Sequence, residues 1–355
     1  MTITDQATAI REGEELDVAA VTAFLGDALG GLDGPLEIRQ YPSGFSNLTY
    51  AVRAGKQEMV LRRPPFGKKA RTAHDMGREF KILSALYPVF PYCPKPLAYT
   101  EDESIMGCSF YVMEKISGVI LRKDLPPGLS LGPKDARRLC ENMIDLQQRL
   151  HALDYASIGL ADFGKPEGYV KRQVEGWSRR YRDARTPDVP DFEDVMAWLD
   201  RHQPPDTPRP GIIHNDYKFD NMVLNPEDPT AIIGILDWEM ATIGDPLMDL
   251  GASISYWVDR DDPQEAQLMR MMPSIIDGMM TRKELVALYA EKSGIDVGNF
   301  DFYFAFGLFR LAVIAQQIYY RFYHGQTKDK RFIQLGFAVG LLDTRARMVM
   351  DGGGF

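Results

Sequence analysis

The spacing of apolar and polar residues changes character three times along the 355-residue chain. Residues 1–34 begin polar, then carry the helical pattern VAAVTAFLGDAL, halted by Gly30 and Gly31. From Leu36 the period shortens. LEIRQY and LTYAVR alternate apolar with polar positions, and QEMVLR follows as a third strand-like run. PSGFSN and AGK link them, which predicts a three-strand meander, and a basic loop, RRPPFGKKAR, interrupts. MGREFKILSALY restores the helical period through Phe80, Leu83 and Leu86, and PLAYT and SFYVMEKI read as two more strands around a polar EDES turn.

Beyond Gly118 the helical period dominates. Pro133 suits a first helical turn, and Leu139, Met143, Leu146 and Leu150 form the stripe that follows it. Further helices are expected over 168–184, 191–202, 263–280, 282–293, 300–323 and 331–350. Residues 211–251 break this run. There, short apolar segments alternate with polar loops bearing His214, Asp216, Asn221 and Asp237. The pattern divides the chain into an extension (1–34), a small β-rich N-lobe (35–117) of five strands and a helix, and a larger α-rich C-lobe (118–355). The fold class is α+β.

Composition narrows the chemistry. A formal net charge of −9 argues against a general nucleic-acid binder, which needs phosphate-neutralising basic surface. Cys93, Cys108 and Cys140 form no CxxC pair, so neither a zinc site nor a disulfide framework is expected. The acidic start is no signal peptide, and no membrane span is expected; a cytoplasmic setting follows.

Carboxylates at strand mouths are unfavourable unless paired or metal-bound. His214, Asp216 and Asn221 form an HxDxxxxN pattern, and Asp237 ends an apolar strand sixteen residues later. Phosphoryl transfer from a nucleotide needs this set: a carboxylate to take the acceptor hydroxyl's proton, and two oxygen ligands for Mg²⁺. Asp216 suits the first role and Asn221 with Asp237 the second, while His214 orients the loop.

These motifs resemble the aminoglycoside phosphotransferase family, small-molecule kinases with a bilobal protein-kinase-like fold. The texture of HNDYKFDN and ILDWEMATIGDPLMDL is most similar to the phosphotransferase-like domains beside or fused to acyl-CoA dehydrogenases. The resemblance implies ATP and Mg²⁺ as cofactors, Asp216 as catalytic base, and Asn221 and Asp237 as metal ligands. It places Arg62 on the nucleotide phosphates, with Arg63 adjacent, and makes Glu79 the partner of that arginine. Gly44 and Ser46 (or Asn47) in PSGFSN would approach phosphates, and Met113, Glu114 and Ile116 would form the adenine hinge. Glu239 is a candidate second acidic ligand or acceptor contact. Asp245 and Asp249 are expected to cap a helix and brace the catalytic loop. The literal Asp162-Phe163-Gly164 precedes the HxD loop, so it reads as a turn rather than a metal site.

The acceptor is a small-molecule hydroxyl. Between Lys165 and Arg185, seven basic residues face three acids, which suits either a solvated helix face or an anion site for a hydroxyacyl-CoA. Lys171, Arg172 and, on the aromatic helix near residue 310, Arg310 are the candidate acceptor contacts. An antibiotic phosphotransferase and a catalytically silent nucleotide-binding pseudokinase are the competing readings. The resemblance also implies a functional link to an acyl-CoA dehydrogenase; oligomeric state is not legible.

Overall fold

A computed structural model describes residues 7–41, 47–65, 75–298, 300–327 and 329–353. The chain forms two compact units, one of residues 1–120 with 221–241 and the other of 121–220 with 242–355. The division differs from a single break near residue 117, because the segment 221–241 returns to the first unit. A bridge between Val119 and Leu224 holds it there.

In the first unit, helix α1 (Val18–Leu29) is capped by Asp17, and it precedes strands β1 (Leu36–Gln40), β2 (Leu48–Ala54) and β3 (Gln57–Arg63). Helix α2 (Met76–Leu86), strand β4 (Pro96–Thr100), the short helix α3 (Glu103–Met106) and strand β5 (Phe110–Glu114) follow. The EDES segment expected as a turn is therefore α3, started by the Asp102 side chain on the Ser104 N–H. The five strands make one antiparallel sheet in the order β1-β2-β3-β5-β4. Alternation in β2 puts Leu48, Tyr50, Val52 and Ala54 into the core with Leu61 and Val112. The unit is completed by the hairpin of β7 (Met222–Leu224) and β8 (Ile232–Ile235).

The second unit holds α4 (Pro133–His151), α5 (Tyr169–Ala184), α6 (Glu193–Arg201), β6 (Gly211–Ile213), β9 (Thr242–Gly244) and α7 (Pro246–Ser255). It continues with α8 (Gln264–Leu268), α9 (Arg282–Ser293), α10 (Phe300–Tyr323) and α11 (Ile333–Met350). The apolar stripe of α4 is buried as its period requires. The helix expected over 263–280 ends at Leu268. Pro273 supplies no backbone donor, and Gly278 adopts φ +87°, so the Met-rich segment turns instead of coiling.

Helix α10 packs against α5, α7 and α11. Among the described residues it is the one helix long and apolar enough to cross a membrane, yet 78% of its most apolar window is buried in the fold. A Cβ on Gly307 would stand 2.3 Å from the Gly251 carbonyl oxygen, so glycine lets α10 and α7 approach backbone to backbone. Likewise a Cβ on Gly211 would meet the His151 carbonyl at 2.3 Å, which seats β6 against the end of α4. These two approaches position the loop after β6. All three cysteines are buried and free.

Candidate functional site

Two constellations stand out, one in each unit. In the first unit, β3 carries Arg62 opposite Thr49 of β2 and Tyr111 of β5. That register decides between the neighbouring arginines. Arg62 donates to Glu79 Oε1 on α2 at 2.5 Å and to Asp237 Oδ1 at 3.1 Å, and it reaches Glu239 Oε2 at 3.5 Å. Arg63 instead turns back to the Pro64 carbonyl. Burial opposes the charge on Arg62, but Glu79, Tyr111, Asp237 and Glu239 together hold its pKa well above the ordinary arginine value. The guanidinium is a fixed cation inside an acidic cluster.

Asp237 sits in the left-handed region at φ 68°, ψ 64°. A non-glycine residue there costs about 1–3 kcal/mol and persists where neighbours enforce it. The indole N–H of buried Trp238 donates to the Ile235 carbonyl at 2.8 Å and anchors the turn. Met222 pairs with Ile235, and the Leu236 N–H donates to the Asn221 carbonyl at 2.7 Å. Asn221 and Asp237 therefore flank the same end of the β7–β8 hairpin. Glu239 accepts the Asn47 amide at 2.7 Å. Met113 and Glu114 end β5, and Ile116 lies over Gly234, where a Cβ would meet its Cδ1 at 2.6 Å. Gly44 and Ser46 lie outside the described residues.

In the second unit, Asp216 follows β6. Its Oδ1 accepts Lys218 Nζ at 2.9 Å and the Tyr256 hydroxyl at 3.2 Å, and Lys218 lies 4.5 Å from the centre of the Tyr256 ring. Burial pushes the Asp216 carboxyl up, but Lys218, Arg310 and His214 outweigh it and hold the group below its ordinary pKa. The same carboxylate and the Tyr256 ring keep Lys218 protonated, its pKa raised despite burial.

The loop is braced from behind. Buried His214 accepts the Asp216 N–H at Nδ1, 3.2 Å away. Asn215, at φ 64°, gives its N–H to Asp249 Oδ1 at 2.5 Å and its carbonyl to Arg310 at 2.6 Å. Asp249 Oδ2 takes the His214 N–H at 3.3 Å, the Gln147 amide at 3.3 Å and His151 Nε2 at 2.9 Å. His151 Nδ1 lies 2.7 Å from the Tyr289 hydroxyl. With Nε2 as donor to the carboxylate, Nδ1 accepts from the phenol. Burial would raise the Asp249 pKa; His151 and these donors bring it below the ordinary value. Asp245 caps α7 through the Leu247 N–H at 2.8 Å. Capping by Asp245 and bracing by Asp249 match the reading of GDPLMD.

Asp162 lies in a turn and Phe163 in the bend that follows it, while Gly164 is in neither helix nor strand. Lys171 lies 4.0 Å from Glu175, and Arg172 bonds the carbonyls of Lys165 and Glu167, closing its own helix start. Arg310, buried, is the candidate acceptor residue that reaches the loop of Asp216, through the Asn215 carbonyl. Sequence reading missed Lys218, Tyr256, His151 and Gln147. Lys218 was within reach, two residues after Asp216; the others come from distant helices.

A family model described as the phosphotransferase enzyme family matches residues 37–271. The chain belongs to that family. Its members are kinase-like small-molecule phosphotransferases, and the fold is bilobal and protein-kinase-like. This phosphotransferase-family chain is 34% identical over 337 residues to acyl-CoA dehydrogenase family member 11 of Rattus norvegicus, covering 93% of the chain and 43% of that protein. It thus spans about two fifths of that curated relative. A putative aminoglycoside phosphotransferase from Ralstonia eutropha superposes with TM-score 0.81 at 30% identity, covering 95% of this chain and 99% of that one. APH(2")-IIia, solved as its GDP and kanamycin complex, shares the fold at TM-score 0.60 and 17% identity, over 92% and 98% of the two chains.

Proposed function

We propose that the chain transfers the γ-phosphoryl group of ATP to a hydroxyl of a small molecule, and that the acceptor is a hydroxyacyl-CoA or a related metabolite. The observation that carries the chemistry is Asp216, kept ionised with one oxygen fixed by Lys218 and Tyr256. Held below its ordinary pKa, this carboxylate is ionised at neutral pH and accepts a hydrogen bond from the acceptor hydroxyl. The lowered pKa makes it a weak base, so orienting that hydroxyl is the larger part of its role. The acceptor hydroxyl gives its proton to Asp216 as its oxygen bonds to the γ-phosphorus; the bond to the bridging oxygen breaks and ADP departs. The Lys218 ammonium stabilises the charge on Asp216 beforehand, so the loop need not reorganise during transfer.

On the donor side, Arg62 holds the phosphates through its planar fork while Glu79 fixes the guanidinium. The backbone from Met113 and Glu114 to Ile116 holds the adenine. Asn221 and Asp237 would hold Mg²⁺, since an amide oxygen and a carboxylate at one hairpin end form a hard oxygen pair of the kind this ion takes. Bound there, the metal would neutralise charge on the transferring group. Among the described residues no three His, Cys, Asp or Glu side chains cluster as a metal cage. Glu239, bonded to Asn47 and Arg62, acts as a brace for the cluster.

The acyl-CoA acceptor is supported by the identity with an acyl-CoA dehydrogenase family member. It also implies a working link to a dehydrogenase acting on the same thioesters. Asp216→Asn tests the core of the proposal. The variant should fold and bind ATP as before and lose transfer by about 100-fold or more, the usual contribution of a general base. Turnover within a few-fold of wild type would reject Asp216 as the base. Screening ATP-dependent transfer to hydroxyacyl-CoAs and to aminoglycosides tests the acceptor, and transfer to aminoglycosides alone would reject it.

A further inference from the structure

The outer face of α11 is apolar where a helix surface is ordinarily polar. Ile333, Phe337 and Met348 are 60%, 61% and 53% exposed, three of the four most exposed large hydrophobics among the described residues. Their spacing, with Gly340 and Thr344 between them, puts all five on one side of the helix. The other side packs on α10, where a Cβ on Gly336 would meet the Tyr319 ring at 2.9 Å. A Cβ on Gly340 would meet nothing within 4 Å. Gly340 thus leaves a notch in the apolar row, of the kind through which α10 and α7 approach each other. Thr344 gives its hydroxyl to the Gly340 carbonyl at 3.1 Å, so its donor is used within the helix. Arg345 and Arg347 turn to Asp262, Asp343 and Asp194 of their own chain and add no charge to the row.

The charges at the two ends oppose the helix that carries them. Lys330 precedes α11 and Asp351 follows it, whereas the macrodipole favours an acid at the start and a base at the end. Asp329 takes Arg331 at 2.6 Å, but among the described residues no opposite charge pairs with Lys330 or Asp351, both exposed. Each end therefore lacks what the other end carries. An antiparallel copy of the same helix would bring an acid to the basic end and a base to the acidic one.

We propose that this face joins two copies of the chain, antiparallel, about a twofold axis passing between Gly340 and Leu341. Ile333 and Met348 lie equally far along the chain from that point, as do Phe337 and Thr344, and Lys330 and Asp351. The axis sets the members of each of these pairs across from one another between the copies. Each contact then occurs twice, as an isologous interface requires. The apolar row leaves water, Gly340 lets the helices cross closely, and the two ion pairs fix their direction. The inference is independent of the phosphotransfer reading.

The test is sedimentation velocity of the full chain over a wide range of protein concentration. Wild type should form a dimer whose dissociation constant rises about tenfold or more in Phe337→Asp, with Phe337→Ala between them. Lys330→Asp should weaken the dimer. Adding Asp351→Lys should restore it, because the exchanged charges still face each other across the axis. The changed side chains are exposed, so circular dichroism should not distinguish the variants from wild type. A wild type that stays monomeric at every concentration overturns the inference and leaves the face to a different protein. A dimer that Phe337→Asp leaves intact overturns it too. So does one that Lys330→Asp leaves unchanged, or that Asp351→Lys fails to restore.

Discussion

Replacing Arg62 by Met separates its structural role from its proposed hold on the nucleotide. The side chains of Arg62 and Glu79 are 8% and 2% exposed and meet at 2.5 Å, so this is a buried pair. Removing one partner of such a pair costs about 3–5 kcal/mol, because the other charge is left without compensation. The contact to Asp237 adds little, since that carboxylate is 36% exposed and water screens it. Arg62→Met should therefore destabilise the first unit by about 3–5 kcal/mol. Arg62→Met with Glu79→Met should recover most of that loss, because a buried pair exchanged for apolar side chains is often neutral. ATP affinity should stay low in both variants. The two compact units need not unfold together, so the assay is native-state hydrogen exchange over the β3 and α2 amides, alongside ATP titration. A single variant within about 1 kcal/mol of wild type would refute the buried-pair reasoning. ATP affinity restored in the double variant would refute the proposed phosphate role.

Three further outcomes are expected. Asp216 has a folded pKa below its unfolded value, so its stabilisation is complete above an ordinary carboxylate pKa of about 4 and is lost as pH falls through the lower folded value. Lys218→Met removes the ammonium that bonds the Asp216 carboxylate, and should move the acid limb of kcat/KM to higher pH; superimposable profiles would refute the pairing. Asp249→Asn should destabilise the second unit by about 2–3 kcal/mol through loss of charge-assisted bonds from His151 and the loop amides, read by denaturant midpoint. Chelation should abolish transfer and Mg²⁺ restore it, and Asn221→Ala should raise the Mg²⁺ concentration for half-maximal rate; an unchanged requirement excludes Asn221 as a ligand.

Legibility in the sequence followed distance along the chain. Asp216, Asn221 and Asp237 lie within 22 residues, so their spacing could be read along the chain as one HxDxxxxN pattern followed by a strand-end aspartate. The alternating strands were legible because one face of β2 is buried and the period of two survives. The Arg62–Arg63 ambiguity was not resolvable by pattern, since adjacent strand residues exchange faces and only the register against Thr49 and Tyr111 decides it. The helix drawn through 263–280 failed because its apolar spacing took no account of Pro273 and Gly278.

The residues that were not legible share one property: they reach the loop of Asp216 and its Asp249 brace from elsewhere in the chain. Tyr256 lies forty positions after Asp216, and His151 lies 98 before Asp249. Neither belongs to a motif; Gly251 and Gly307 let α7 approach α10, and Gly211 seats β6 against the end of α4 where His151 lies. The glycines thus connect packing to chemistry. A Cβ at Gly211 would push β6 from the end of α4 and draw the Asp249 carboxylate away from the His214 and Asn215 amides it holds. Asn215 would then lose the support for its left-handed backbone, and Asp216 the orientation that keeps one oxygen on Lys218 and Tyr256. The motif supplies the carboxylate; the distant helices determine where it points.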